Sequence, residues 1–311
     1  MKSQIKAFAK SVLPQGIHHN LRHLIKNVPR TLERRETEQV FAAAPGTPSY
    51  LDLGALEALQ KKYPFPPEYG WDPESLETRG KARSAELLRF PGAYQAKSFL
   101  ELGCWDGMVS CCLTQNGKET TAIDYRDTGF DERASRLGVS LMQMNAADLQ
   151  FEDESFDFIF SYDAFEHVGS PEDVLREAMR VVKKGGYIYL DFGPIYYSPF
   201  GEHAHESISV PYCQLLFTRN TINDFATQNG LQPIDCSHVN GWSLENYREL
   251  WNKYSQLKKV RYYESVDLSH LDVIRAYPSC FKSKSNYFEN FIVDNIKVLF
   301  RKSVAPNVFA A

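Results

Sequence analysis

The chain has 311 residues, 43% hydrophobic and 24% charged, with a formal net charge of −4, ordinary values for a soluble globular protein long enough to bury a sizeable core. Residues 1–30 carry six Lys or Arg and no Asp or Glu, which leaves about −10 on residues 31–311; a body of that sign is poorly matched to a phosphate backbone, so no nucleic-acid partner is expected. Cys104, Cys111, Cys112, Cys213, Cys236 and Cys280 show no C-x-x-C spacing, no apolar run reaches the length of a membrane span, and the N-terminus lacks an apolar signal core, so a reduced, cytoplasmic setting is expected.

Residues 1–45 form a basic amphipathic segment. Ile5, Phe8, Ala9, Val12 and Leu13 recur at helical spacing among Lys2, Lys6 and Lys10, and Ile17, Leu21, Leu24 and Ile25 follow around Arg22, His23 and Lys26. Three readings stay open: peripheral contact with an anionic membrane through residues 1–30, a helix packed on its own domain or a partner, or a transit peptide. Ala43–Pro48 reads as a linker. Residues 46–95 read as a helical cover, with Asp72-Pro73-Glu74 supplying the cap, first-turn proline and early acid of a helix running to about residue 90.

The core is expected over 96–240. Phe99-Leu100-Glu101-Leu102-Gly103-Cys104-Trp105-Asp106-Gly107 reads as a buried strand entering a glycine turn and then a helix, a turn expected to present bare backbone N–H groups to a ligand. Thr121–Asp124 is a second strand ending in an acid, the kind of position that accepts hydrogen bonds from ribose hydroxyls. Val139–Met144 leads to Asn145-Ala146-Ala147-Asp148, and Phe156–Ser161 is a fourth strand, so acids punctuate one end of successive strands. Ser170 caps a helix over 171–183 that Pro171 opens and Gly185-Gly186 stops, with Val174, Leu175, Ala178, Met179 and Val182 as its buried stripe. Tyr187–Phe192 is a fifth strand, Thr218–Asn229 a helix, 231–239 a strand and Phe291–Phe300 a last β segment. Strands alternating with helices imply a Rossmann-like doubly wound α/β sheet, mostly parallel, with an antiparallel C-terminal strand. Residues 241–311 are an aromatic-rich addition completing the sheet, with Trp242, Tyr247, Trp251, Tyr254, Tyr262, Tyr263 and Tyr277 placed across the pocket.

Over residues 80–195 this arrangement resembles the class I S-adenosylmethionine-dependent methyltransferases, particularly their small-molecule branch. The matching residues are Phe156-Asp157-Phe158-Ile159, Glu166-His167-Val168 and Leu175 to Gly186. The resemblance implies S-adenosylmethionine as cofactor, with Glu101 at the methionine amino end and Gly103 and Gly107 in close backbone approach, Cys104 and Trp105 lying in the same turn. It further implies Asp124 on the ribose hydroxyls with Tyr125 beside the adenine, Asp148 on the adenine amino group flanked by Ala147, and Ser161 and Tyr162 beside the methionine. The family usually has Gly where this chain has Trp105, so the indole must find room.

An oxygen acceptor must lose a proton, and histidine suits that task near neutral pH. His167 follows the fourth strand, and His203 and His205 lie in the long aromatic loop after the fifth, with Tyr196, Tyr197 and Phe200 as candidate pocket walls. Glu202, His203, His205 and Glu206 are clustered, but His-x-His with flanking acids is not a closed ligand set and no metal is expected. The expected reaction is methyl transfer to oxygen of a small-molecule or glycan-like acceptor by in-line displacement. Two alternatives stand beside it. Trp105 keeps open a non-catalytic nucleoside-binding or interaction module, whereas a nicotinamide oxidoreductase is disfavoured because Gly103-x-Trp105-x-x-Met108 does not satisfy G-x-G-x-x-G.

Overall fold

A computed structural model describes residues 30–67, 70–204, 207–232 and 239–304. The amphipathic stretch before residue 30, His205 and most of the strand expected near 231–239 lie outside the described residues. Contacts divide the described residues into two units, one of 30–50 with 267–288 and one of 51–266 with 289–304. In the first, a helix over 30–43 sets Phe41 against Phe288 with ring centroids 5.6 Å apart, and Arg275 pairs with Glu33 at 2.8 Å. Residues 267–288 thus group with 30–50 across most of the sequence.

The second unit is built on one sheet of seven strands. Its elements are α1 (Leu53–Lys62), α2 (Pro73–Leu87), β1 (Ser98–Leu102), α3 (Met108–Gln115), β2 (Glu119–Asp124), α4 (Glu132–Arg136), β3 (Ser140–Gln143), β4 (Phe156–Tyr162), α5 (Pro171–Val181), β5 (Val182–Phe192), α6 (Cys213–Leu216), α7 (Arg219–Gln228), α8 (Leu244–Lys253), β6 (Leu257–Val266) and β7 (Val293–Lys302). The strand order is β3-β2-β1-β4-β5-β7-β6. The first five pair in parallel and β7 pairs antiparallel with both β5 and β6. This is the expected doubly wound sheet, with β6 as an additional strand.

The strands pack on both faces because alternate side chains point to opposite sides. Leu100, Ile159, Ile188 and Leu190 join α5 and α8 in one core, and Phe99, Phe158, Phe160 and Tyr189 meet Leu87, Phe90 and Val109 in the other. Aromatic packing carries much of this: Phe192 lies 4.9 Å from Tyr247, and Trp251 lies 5.3 Å from Phe300, centroid to centroid. Tyr247 and Trp251 are therefore core residues rather than walls of a pocket.

Two local features depart from the sequence reading. Ser170 caps α5 as expected, but the helix ends at Val181, because Val182 is extended and pairs with Phe156. Gly185, at φ 79°, then lies at a register shift inside β5 rather than beyond a helix, a usual use of glycine in a bulged strand. The other is β6, whose mostly exposed LKKVRYYESV carries charges suited to a sheet edge.

Where β1 turns into α3, Gly103 has φ 69°, and a Cβ there would meet the Ala164 Cβ at 2.4 Å. Gly117 has a similar φ of 75° with nothing within 4 Å. Gly103→Ala is expected to cost about 3 kcal/mol, from backbone strain and overpacking together, and Gly117→Ala only about 1 kcal/mol. Urea unfolding of the two variants checks this, and equal losses would contradict it.

Candidate cofactor and acceptor site

The parallel topology brings the carboxyl ends of β1, β2, β3 and β4 to one edge, with Leu102 paired to Ile123 and Asp124 to Gln143. The turn after β1 is pinned to β2 through its own amides. Gly103 and Cys104 both donate to the Ile123 carbonyl at 2.9 Å, and Trp105 N–H donates to Asp124 Oδ2 at 2.9 Å. Gly107 N–H donates to Cys104 O at 2.8 Å, and Met108 N–H to Asp106 Oδ1 at 2.7 Å. The expectation of bare N–H groups is thereby corrected: these five amides hold the turn itself. Gly103 is required by Ala164, and Gly107, at φ 77°, by Leu141, so protein packing already accounts for both glycines. Cys104 is buried, and burial pushes its thiol up, which leaves it no nucleophilic character.

Trp105 points outward. Its backbone adopts φ 50°, the left-handed region that glycine occupies more easily. Its indole is 49% exposed, lies 5.2 Å from Trp71 and stacks under the Arg126 guanidinium at 3.8 Å. The indole thus covers the same Arg126 that bonds Asp124.

Asp124 is buried at the tip of β2, and its Oδ1 accepts from Arg126 N–H at 3.2 Å and Nε at 3.0 Å. Tyr125 beside it is 77% exposed. Asp148 is exposed in the turn after β3, where Asn145 Oδ1 accepts from Ala147 N–H at 2.9 Å. Ser161 spends its hydroxyl on Leu102 O at 2.8 Å, locking β4 to β1. Above this edge α2 is tied down by Arg79, 3.9 Å from Asp106, and by Arg83, paired with Asp163.

Glu101 is 3% exposed and accepts from Ser110 Oγ at 2.6 Å and Ser110 N–H at 3.2 Å. Burial, reinforced by Asp106, pushes its carboxyl up to about 8 against the pull of Ser110.

The second half of the site lies past β4 and β5. Glu166 is buried, accepts from Gly193 N–H at 3.1 Å, and is held well above its ordinary range by burial and then by the Asp163 charge. His167 Nε2 lies 3.9 Å from Glu166 Oε1, and the rings of His167 and His203 meet edge-on at 4.7 Å. No local pattern joins His167 to His203; the loop after β5 does so, with Ile195 N–H bonded to Asp294 O on β7 at 2.9 Å. Glu202, placed beside the histidines by sequence, is instead buried toward the Cys213 thiol, its carboxyl pushed up to about 7 by burial.

The acceptor groups at this edge suit a ligand that presents donors, namely an ammonium, a ribose diol and an adenine amine. They do not suit a diphosphate, which wants free amides at a helix start. Residues 100–190 match a family model described as a methyltransferase domain. That stretch is a class I S-adenosylmethionine-dependent methyltransferase domain.

The domain's relatives agree in kind. The chain is 29% identical over 153 residues to a ubiquinone biosynthesis O-methyltransferase of Pseudomonas fluorescens, covering 47% of this chain and 62% of that protein. It is 30% identical over 94 residues to a Mycobacterium tuberculosis protein named a probable S-adenosylmethionine-dependent methyltransferase, covering 30% of this chain and 34% of the other. The chain thus spans less than two-thirds of either. Among solved structures, a Pyrococcus horikoshii protein aligns with 76% of this chain and 95% of its own, at a TM-score of 0.48 and 16% identity. S-adenosylmethionine is the cofactor that the domain implies, and the acceptor-lined edge fits it.

The Glu101 carboxyl yields a pH prediction. Its unfolded counterpart titrates near 4.5 and the folded group near 8, so between these values the folded state holds a proton that the unfolded state has released. Stability from this group therefore falls as pH rises through that window. Glu101→Gln should flatten the decline in urea midpoint over the same window, and an unchanged slope would contradict the assignment.

Proposed function

We propose that the protein transfers a methyl group from S-adenosylmethionine to a hydroxyl of a small-molecule or glycan-like acceptor. The observation that carries the cofactor half is the edge of Glu101, Asp124 and Asp148 beside a turn whose amides are already engaged. The relative named as an O-methyltransferase supports oxygen as the acceptor atom.

Glu101 would take the ammonium, Asp124 the ribose hydroxyls in place of or beside Arg126, and Asp148 the adenine amine. Gly103, Cys104, Trp105, Gly107, Tyr125, Ala147 and Ser161 would form the surrounding walls. When bound, the cofactor supplies an electrophilic methyl on a sulfonium. The protein's own work is then to align the acceptor oxygen, exclude water and remove the hydroxyl proton. We assign that last task to the pair His167 and His203, which meets at the carboxyl ends of β4 and β5, where open α/β sheets bind ligands. His205 remains a candidate on sequence alone. Among the described residues no helix is long and apolar enough to cross a membrane, and attachment through residues 1–30 remains a proposal carried by their charge and spacing.

S-adenosylmethionine or its demethylated product should raise the thermal midpoint and NAD should not; indifference to all three would overturn the cofactor reading. Asp124→Ala should weaken cofactor binding by about tenfold or more, the scale of one lost charge-assisted hydrogen bond. His203→Ala should spare that binding in calorimetry yet lower turnover by about a hundredfold in assays with labelled cofactor and fractionated lysate.

A further inference from the structure

Glu166 and His167 follow β4, His203 lies in the loop after β5, and we propose that these three residues form a binding site for one divalent transition-metal ion of the zinc class. Each offers one ligand atom, and the three atoms lie within 4.8 Å of one another. Tetrahedral coordination at about 2.0–2.2 Å sets ligand atoms about 3.3–3.6 Å apart, so the His167 to Glu166 separation of 3.9 Å is already near that value and the widest separation must close by about an ångström through side-chain rotation. Two imidazoles and a carboxylate are the donor set of catalytic zinc centres that keep a further position open.

Two observations point to a ligand rather than to chance proximity. Glu166 is almost wholly buried, and its Oε2 has no hydrogen-bond partner among the described residues, while Oε1 is held by Gly193 N–H at 3.1 Å. A buried carboxylate oxygen in that condition calls for a cation or a donor. The second is His203, whose Nε2 lies 3.0 Å from the Pro194 carbonyl. An outer hydrogen bond of an imidazole to a backbone carbonyl is the kind that orients metal-binding histidines.

The site deepens the methyl-transfer reading and rests on it for its role alone. An acceptor hydroxyl bound at the open position would form an oxygen–metal bond, and its O–H would break with the proton passing to water, because a bound cation lowers the pKa of a coordinated oxygen. With the ion bound, His167 and His203 would serve the proton removal assigned to them above as its ligands, through the acidified coordinated hydroxyl, and not as free bases.

The full-length chain, stripped with a chelator, exposed to micromolar zinc and desalted, should retain one zinc per chain by elemental analysis. His203→Ala and Glu166→Gln should each weaken retention by about tenfold or more, while S-adenosylhomocysteine still raises the thermal midpoint of both. Should Glu166→Gln not fold, His203→Ala on its loop carries the test alone. Zinc held equally by wild type and His203→Ala, or not held by wild type at all, overturns the site even if the nucleoside binds. Zinc lost in the variants with no nucleoside stabilisation anywhere upholds the site and overturns the methyl-transfer reading instead.

Discussion

The turn between β1 and α3 is fastened to β2 by three amides, Gly103 and Cys104 on one carbonyl and Trp105 on the Asp124 carboxylate. That fastening sets the rest of the site. It holds Asp124 at the edge, it brings Ser110 of α3 over Glu101, and it consumes the N–H groups that a dinucleotide's diphosphate would need. The carboxyls at this edge are held in turn by the protein, Asp124 by Trp105 and Arg126 and Glu101 by Ser110.

The acceptor side is built differently, from loops instead of strand tips. The segment after β4 and the loop after β5 are joined by Glu166, which reaches Gly193, and by the edge-on contact of His167 with His203. Loops anchored on a rigid sheet are where chemistry usually varies within a fold. Here the anchoring residue is itself a buried carboxyl kept from ionising freely by its surroundings.

The parallel strands are legible in the sequence because Phe99-Leu100, Ala122-Ile123 and Phe158-Ile159-Phe160 put adjacent apolar side chains on both faces. The acids at their ends were equally legible, since topology alone puts them on one edge. Strand β6 was not, because an exposed, charged edge strand lacks the alternation that marks a half-buried one. Tyr247 and Trp251 read as pocket walls for a related reason: aromatic residues at helical spacing look alike whether they face a ligand or a core, and only the packing against Phe192 and Phe300 decides. The pairing of residues 30–50 with 267–288 and the meeting of His167 with His203 are long-range facts, which no local pattern encodes.

The most direct test of the central claim is a crystal structure of the chain with S-adenosylhomocysteine. The account predicts the ribose hydroxyls on the Asp124 carboxylate and the amino-acid end toward Glu101, with the turn's hydrogen bonds to Ile123 intact. A nucleoside bound elsewhere, with Arg126 still closed on Asp124, would contradict it.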